Sequence, residues 1–374
     1  MYAVTRQLLA VDASIPEVVW HALRAALNAD GPAIIPVSGE PPADLPAEVS
    51  QRTAVVIETS GSTGRPKRVE LSAAALLSSA TAAHSELEGP GDWLLALPTT
   101  YIAGINVLVR AIAAEADLHS VDLSAGFTAE GFIDAARHLQ HVRRYTSLVP
   151  AQLAKLIEAD EALETLRRFD RILVGGQALP VALAARALEL GLNVTRTYGS
   201  SETSGGCVWD GVPIGDTAIE IVDGRVELSG SVLAEGYLDD AARTSAAFIE
   251  RDGRRWYRTD DSGDLIDGVL KVTGRIDDVI VSGGIKVSLG AVEAIVRELR
   301  GLTEAVVVGV PHPVWGESPV VVTTVDRALD EIRDAVAQRL GNPAAPSAIV
   351  VVDELPRLAS GKPDRLGIAT LANR

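Results

Sequence analysis

The chain has a single cysteine, Cys207, among its 374 residues. That excludes an internal disulfide and sets the expectation of a reducing, cytoplasmic setting. Aromatic residues make up only 4% and methionine occurs once, so a core must be built from Ala, Val, Leu and Ile. Positive charge is also short: 34 Lys and Arg against 50 Asp and Glu leave a formal net charge of −16. Such a balance argues against nucleic acid or an anionic membrane as the main partner, yet permits a local cationic pocket. The N-terminus lacks a basic region followed by an apolar core, so no signal peptide is expected. The longest uncharged run, Trp93–Val109, contains Pro98 and Gly104 and falls short of a bilayer span, so no membrane insertion is expected.

What the chain does have is length enough for two domains, 33 glycines, and β-branched runs alternating with Ala/Leu-rich stretches. These read as α/β. One stretch organises the rest: Thr59–Lys67, Thr-Ser-Gly-Ser-Thr-Gly-Arg-Pro-Lys. The apolar run from Thr53 to Ile57 before it reads as a buried strand, and a helix is expected to begin near Ser72, a good N-cap residue. Glycines admit close backbone approach, hydroxyls and N–H groups donate to oxygens, and a lysine neutralises charge, which is how a loop holds a polyphosphate. A Walker loop is refused by the spacing, because Pro66 precedes Lys67 and Arg68 follows it. From the residues alone, a phosphate grip and a solvated Ser/Gly surface loop both stay open.

Residues 1–52 offer a helix over Ile15–Asn28, a strand at Ala33–Val37, a loop over Gly39–Val49 and no catalytic feature. Then follow a helix over Ser72–His84, a strand at Trp93–Leu97, a turn at Pro98–Gly104 and a helix from about Ile105 to Ala116. On that helix Ile105, Leu108 and Ile112 share an apolar face, with Asn106 and Arg110 four apart on another. Strands at Tyr145–Val149, Arg171–Val174 and Asn193–Thr197 alternate with helices, which implies parallel crossovers with ligand loops at the strands' carboxyl ends. From about Ile214 short strands and turns suggest an antiparallel subdomain, interrupted at Gly274–Asp278. A small α+β unit follows, with a helix at Gly290–Arg300, strands at Ala305–Val310 and Val320–Val325, a helix at Leu329–Leu340 and a strand at Ala348–Val352. The boundary is expected near Arg275, giving domains 1–274 and 275–374.

Five motifs in this order, Thr59–Lys67, Tyr198–Glu202, Thr259–Asp261, Gly274–Asp278 and Ser360–Lys362, resemble those of the adenylate-forming superfamily of acyl-CoA synthetases, adenylation domains and luciferases. Short length, Ile102-Ala-Gly104 followed by Leu108-Val-Arg110, and Ser147–Leu153 make the chain most similar to the o-succinylbenzoate–CoA ligases of menaquinone synthesis. The resemblance implies a large N-terminal domain of parallel-rich sheets with an antiparallel subdomain, and a small mobile C-terminal domain. It implies activation of a carboxylic acid by ATP with Mg²⁺, through an acyl-adenylate, and then thioester formation with CoA.

Residue by residue, the resemblance implies that Lys362 bridges the acid carboxylate and the α-phosphate. Glu202 holds Mg²⁺, Ser201 bonds the α-phosphate, Tyr198 stacks on adenine, and Gly199 gives it room. Thr59, Ser60, Gly61, Ser62, Thr63, Gly64 and Lys67 grip the phosphates, and Gly175, Gly176 and Gln177 line the adenine pocket. Asp261 accepts the ribose hydroxyls, although Asp260 stands where relatives have glycine. Arg275 contacts ribose or phosphates, Asp277 is the hinge, and Gly283 and Gly284 line the CoA tunnel, with Leu289 in place of a family proline. Tyr101, where many relatives carry His, joins Gly104, Asn106 and Arg110 at the acid, and a cation at Arg110 suits the second carboxylate of o-succinylbenzoate. Other acids, a carrier protein instead of CoA, and a catalytically silent nucleotide-binding relative remain as alternatives. For Cys207, packing between small residues is the expectation.

Overall fold

The computed structural model describes residues 4–59, 66–87, 89–357 and 363–373. The β-branched run before the Gly/Ser/Thr loop forms the strand Thr53–Thr59, with Val55, Val56 and Ile57 fully buried. It lies parallel to Ala33–Val37 and antiparallel to Lys67–Ser72. Together with Gly236–Tyr237, Thr5–Asp12 and Glu48–Ser50 these make a six-stranded sheet. Thr5–Asp12 and Glu48–Ser50 were not expected from the sequence. Their burial alternates, and polar residues dilute the apolar signal that marks a central strand.

A second, seven-stranded sheet leads into the Gly175–Gln177 and Tyr198–Glu202 stretches. Val194–Ser200, Arg171–Val174, Arg144–Leu148, Asp92–Leu95 and His119–Ser120 run parallel within it, as the helix–strand alternation predicts. Gly205–Trp209 then turns back antiparallel beside Val194–Ser200. The strand ends near residues 95, 174 and 200 therefore gather at the sheet's carboxyl edge, where ligands bind in such folds. One aliphatic core joins Leu23, Ile57, Leu71, Leu76, Ile105 and Leu108, and another is built around Phe132, Leu153 and Ile172. The few aromatic rings are placed inside them, Trp93 against Tyr145 and Phe132 against Phe169.

The chain divides into two compact units. One comprises Met1–Leu179, Leu183–Glu220 and Glu227–Arg258, the other Pro180–Ala182, Ile221–Val226 and Thr259–Arg374. In the first, Phe248–Arg251 forms an antiparallel hairpin with the start of the long strand Arg254–Ile266. In the second, the end of that strand pairs antiparallel with Val269–Arg275, so the expected interruption at Gly274 begins only after Arg275. A further five-stranded sheet, containing Val279–Ser282, Ile285–Ser288, Val306–His312, Gly316–Thr323 and Ala348–Val351, carries the helices Leu289–Glu298, Leu329–Leu340 and Arg365–Ala372. The strand expected at Val320–Val325 thus begins four residues sooner, because Gly316 closes the hairpin with His312. No described helix is long and apolar enough to cross a membrane.

Ile57, fully buried in the central strand that leads into the loop, tests how much of the first unit rests on this sheet. Ile57→Ala is expected to lower unfolding free energy by about 3 kcal/mol, read by chemical denaturation. A loss under about 1 kcal/mol contradicts that placement.

Candidate active site

The strands on either side of the Gly/Ser/Thr stretch pair antiparallel. Thr59 stands directly opposite Lys67 in an antiparallel ladder, and the Thr59 hydroxyl donates to the Lys67 carbonyl at 3.4 Å. Ser60, Gly61, Ser62, Thr63 and Gly64 lie outside the described residues. The helix Ala73–Glu86 starts only after the return strand, capped by the Ser72 hydroxyl, which accepts from Ala75 N–H at 3.2 Å. The hairpin geometry gives the physical reason for the non-Walker spacing: Pro66 sits just before a returning strand, where a missing N–H is tolerated.

The strand Val194–Ser200 ends in the motif residues. A register shift between Tyr198 and Gly199 bends it, and a Cβ on Gly199 would stand 2.0 Å from the Gly205 carbonyl oxygen. Ser201–Thr203 is a single 3₁₀ turn, stopped by Ser204 in the left-handed conformation (φ 49°). The reversal is buried and heavily bonded: Asn106 Nδ2 and the Ser79 hydroxyl both donate to the Ser204 carbonyl, at 2.6 and 3.0 Å. The Ser204 hydroxyl donates to the Val232 carbonyl at 2.7 Å. Ser201 and Glu202 are buried at this turn.

Glu202 Oε1 accepts a hydrogen bond from the Tyr237 hydroxyl at 2.8 Å. Glu202 is buried close in sequence to the Ser200 hydroxyl, which is itself buried without a partner among the described residues. No cluster of three His, Cys, Asp or Glu occurs among the described residues. A hard divalent cation fits this chemistry only if one carboxylate shares it with water and phosphate oxygens, which is the ordinary manner of Mg²⁺. Tyr237 was not singled out from the sequence, and a lone tyrosine after Gly236 carries no pattern by which to find it. Its ring lies 5.9 Å from Lys67 Nζ.

The glycines after Arg171–Val174 have separate reasons. Gly175 is fixed by close approach, since a Cβ there would stand 2.3 Å from the Thr197 hydroxyl, while Gly176 has φ +79°. Gln177 is half-buried in the same turn. Tyr101 precedes the first turn of the helix Ile102–Ala113, and Gly104 passes against the Pro98 carbonyl with no room for a side chain. Asn106 is committed to the Ser204 reversal, and its amide occupies the space of a Cβ on Gly205.

Arg110, one helical turn on, is buried, contrary to the surface placement usual for an arginine on an amphipathic helix. Its guanidinium lies over the Trp93 ring at 5.1 Å, and its Nε has no hydrogen-bond partner. Among the described residues no carboxylate lies within ion-pair distance of it. Burial pushes its pKa down to about 10, so it is still cationic at neutral pH. Nearby His84 has its pKa lowered, first by burial and then by the Arg110 charge.

In the second unit, three predicted residues meet. Asp261 pairs across the ladder with Arg275, whose guanidinium is bidentate with Asp277 at 2.7 and 2.8 Å and 3.6 Å from Asp260. The Asp277 bond chiefly raises the Arg275 pKa. Asp261 N–H donates to the Thr259 hydroxyl at 3.1 Å. Asp260 has no positive φ, so an aspartate replaces the usual glycine without strain. Gly283 and Gly284, with φ 57° and 80°, form the two-residue turn of the hairpin Val279–Ser282 and Ile285–Ser288, and Gly283 lies against the Trp315 ring. Leu289 N–H donates to the Asp278 carbonyl at 2.9 Å, a bond that proline would forfeit. Lys362 lies outside the described residues.

The family model described as AMP-binding enzyme matches residues 5–232, and that for the AMP-binding enzyme C-terminal domain matches 291–362. A Mycobacterium tuberculosis protein named probable 2-succinylbenzoate–CoA ligase is 38% identical over 361 residues, 93% of each chain. The 2-succinylbenzoate–CoA ligase of Bacillus pumilus is 29% identical over 341 residues, covering 84% of this chain and 68% of that one. Among solved structures, o-succinylbenzoate CoA synthetase from Bacillus subtilis with the acyl-adenylate intermediate superposes at TM-score 0.73 and 25% identity, covering 97% of this chain and 78% of that one.

Cys207, beside the Glu202 turn, is fully buried and its pKa is pushed up to about 11, mainly by burial. At pH 8 only about one thiol in a thousand is then ionised. Folded protein is expected to resist iodoacetamide at pH 8 while denatured protein is alkylated at one site, as read by mass spectrometry. Rapid labelling of the folded chain contradicts the burial.

Proposed function

The chain belongs to the AMP-binding enzyme family, and from that premise we propose that it is an ATP-dependent o-succinylbenzoate–CoA ligase. A carboxylate is a poor electrophile because a thiol cannot expel oxide. Attack of one carboxylate oxygen on the α-phosphorus of ATP forms an acyl-adenylate and releases pyrophosphate. The CoA thiol then attacks the acyl carbon, AMP leaves, and a thioester remains.

The residues divide this work. Thr59–Lys67 grips the phosphates that become pyrophosphate, Tyr198 and the Gly175–Gln177 turn hold adenine, and Ser201 bonds the α-phosphate. Asp261 accepts the ribose hydroxyls, supported by Arg275. Lys362, in the second unit, neutralises the acid carboxylate and α-phosphate as they approach. Glu202 is the candidate ligand of Mg²⁺, which when bound offsets phosphate charge. We place the functional boundary at 274/275, with residues 275–374 moving about Asp277 and Gly283–Gly284 lining the CoA path. Tyr101 and Gly104 flank the acid.

The observation that carries the acid assignment is Arg110, a buried cation with no carboxylate near it among the described residues. A buried charge left uncompensated is costly, and an anionic ligand group removes that cost. A monocarboxylic acid spends its only carboxylate on the phosphorus; o-succinylbenzoate has a second. The 38% identical relative carries that substrate in its name.

AMP and acyl-CoA formation across o-succinylbenzoate, benzoate and medium-chain acids is the test, with o-succinylbenzoate expected to dominate kcat/KM. Carrier-protein dependence, or ADP as product, would overturn the ligase reading. Arg110→Met removes the charge at similar volume. It is expected to raise the KM for o-succinylbenzoate roughly 30-fold, the scale of one charge-assisted hydrogen bond, with the melting temperature unchanged or higher. An unchanged KM removes Arg110 from the acid site.

A further inference from the structure

The segment Val232–Leu238 is tied to both phosphate-facing elements of the first unit. On one side, Ala234 N–H donates to the Glu202 carbonyl at 2.9 Å, and the Val232 carbonyl accepts from the Ser204 hydroxyl. On the other, Glu235 N–H donates to the Glu70 carbonyl and Leu238 N–H to the Arg68 carbonyl, at 2.9 and 2.8 Å, in the strand that returns from the Thr59–Lys67 loop. Tyr237 sits at the centre of this bridge. Its ring packs on Phe248 and faces the Lys67 ammonium, and its hydroxyl reaches Glu202 Oε1.

The ring's position is over-determined. Gly236 leaves no room for a side chain beside Thr244, whose hydroxyl accepts from Tyr237 N–H at 2.9 Å. A carboxylate at the end of a flexible glutamate chain samples several rotamers unless something holds it. Here a buried phenol holds one of the two carboxylate oxygens. The same ring lies 5.9 Å from Lys67 Nζ, so one residue faces both the carboxylate and the lysine.

We propose that Tyr237 is the positioning residue of the cation site: by donating to Glu202 Oε1 it presents the other carboxylate oxygen to a nucleotide-bound divalent cation, in register with Lys67. The proposal rests on the assignment of Glu202 as the cation's protein ligand.

Tyr237→Phe keeps the ring, and with it the contacts to Phe248 and Lys67, and deletes only the hydroxyl. Binding of α,β-methylene-ATP measured by calorimetry, with Mg²⁺ and with EDTA, reads the effect without turnover. The parent is expected to bind more tightly with Mg²⁺. Tyr237→Phe is expected to lose about tenfold of that gain while its affinity in EDTA stays within about twofold, on the scale of one hydrogen bond to a charged group. Glu202→Gln should abolish the gain, and adding Tyr237→Phe to it should change nothing more. Adenylation by Tyr237→Phe should recover at high Mg²⁺. An intact Mg²⁺ gain in Tyr237→Phe, equal losses with and without Mg²⁺, or additive effects in the double variant would each overturn the proposal. Loss of acid activation in the parent alongside a normal Mg²⁺ gain rejects the ligase reading and leaves this one standing.

Discussion

The site in the first unit depends on a buried chain reversal at Ser204. The strand Val194–Ser200 leads into the turn that carries Glu202, and the chain reverses through a left-handed serine followed by Gly205. Left-handed backbone at a residue other than glycine costs about 1 kcal/mol, and a buried carbonyl without a donor costs more. Both are offset because Asn106 and Ser79, from two different helices, donate to the Ser204 carbonyl. The helices that build the core thus also set the direction of Glu202. Asn106, expected from the sequence at the acid, donates to the reversal and so links its helix to the Glu202 turn.

Much of this was legible in the residues, and the rest was hidden for identifiable reasons. Parallel strands announced themselves through apolar runs such as Ile172–Val174, because burial on both faces leaves no polar alternation. Thr5–Asp12 escaped notice because its faces differ. The convergence of Asp261, Arg275 and Asp277 came from motif order, and the antiparallel ladder supplies its geometry. Tyr237 could not be read, since its meaning lies in a hydrogen bond across 35 positions of sequence. Burial of Arg110 was equally invisible. An arginine among Val, Leu and Ile on a helix gives no local sign of which way the core lies.

Charge adds a second constraint. A fold of net charge −16 must hold positive charge in place locally if it is to meet an anion. Arg110 does so by burial, held over Trp93 with a pKa of about 10. Arg275 does so by pairing, its charge shared among Asp277, Asp260 and Asp261. An unpaired buried cation is selective for a matching anion, while a paired one on a ladder keeps its orientation until a ligand competes.

The central claim is that this site makes an acyl-adenylate before CoA takes part. Isotope exchange between labelled pyrophosphate and ATP measures that step alone. The account predicts exchange that depends on o-succinylbenzoate, proceeds without CoA, and is lost when Lys362 is replaced by alanine. Exchange that requires CoA, or its absence under conditions where acyl-CoA is formed, would contradict it.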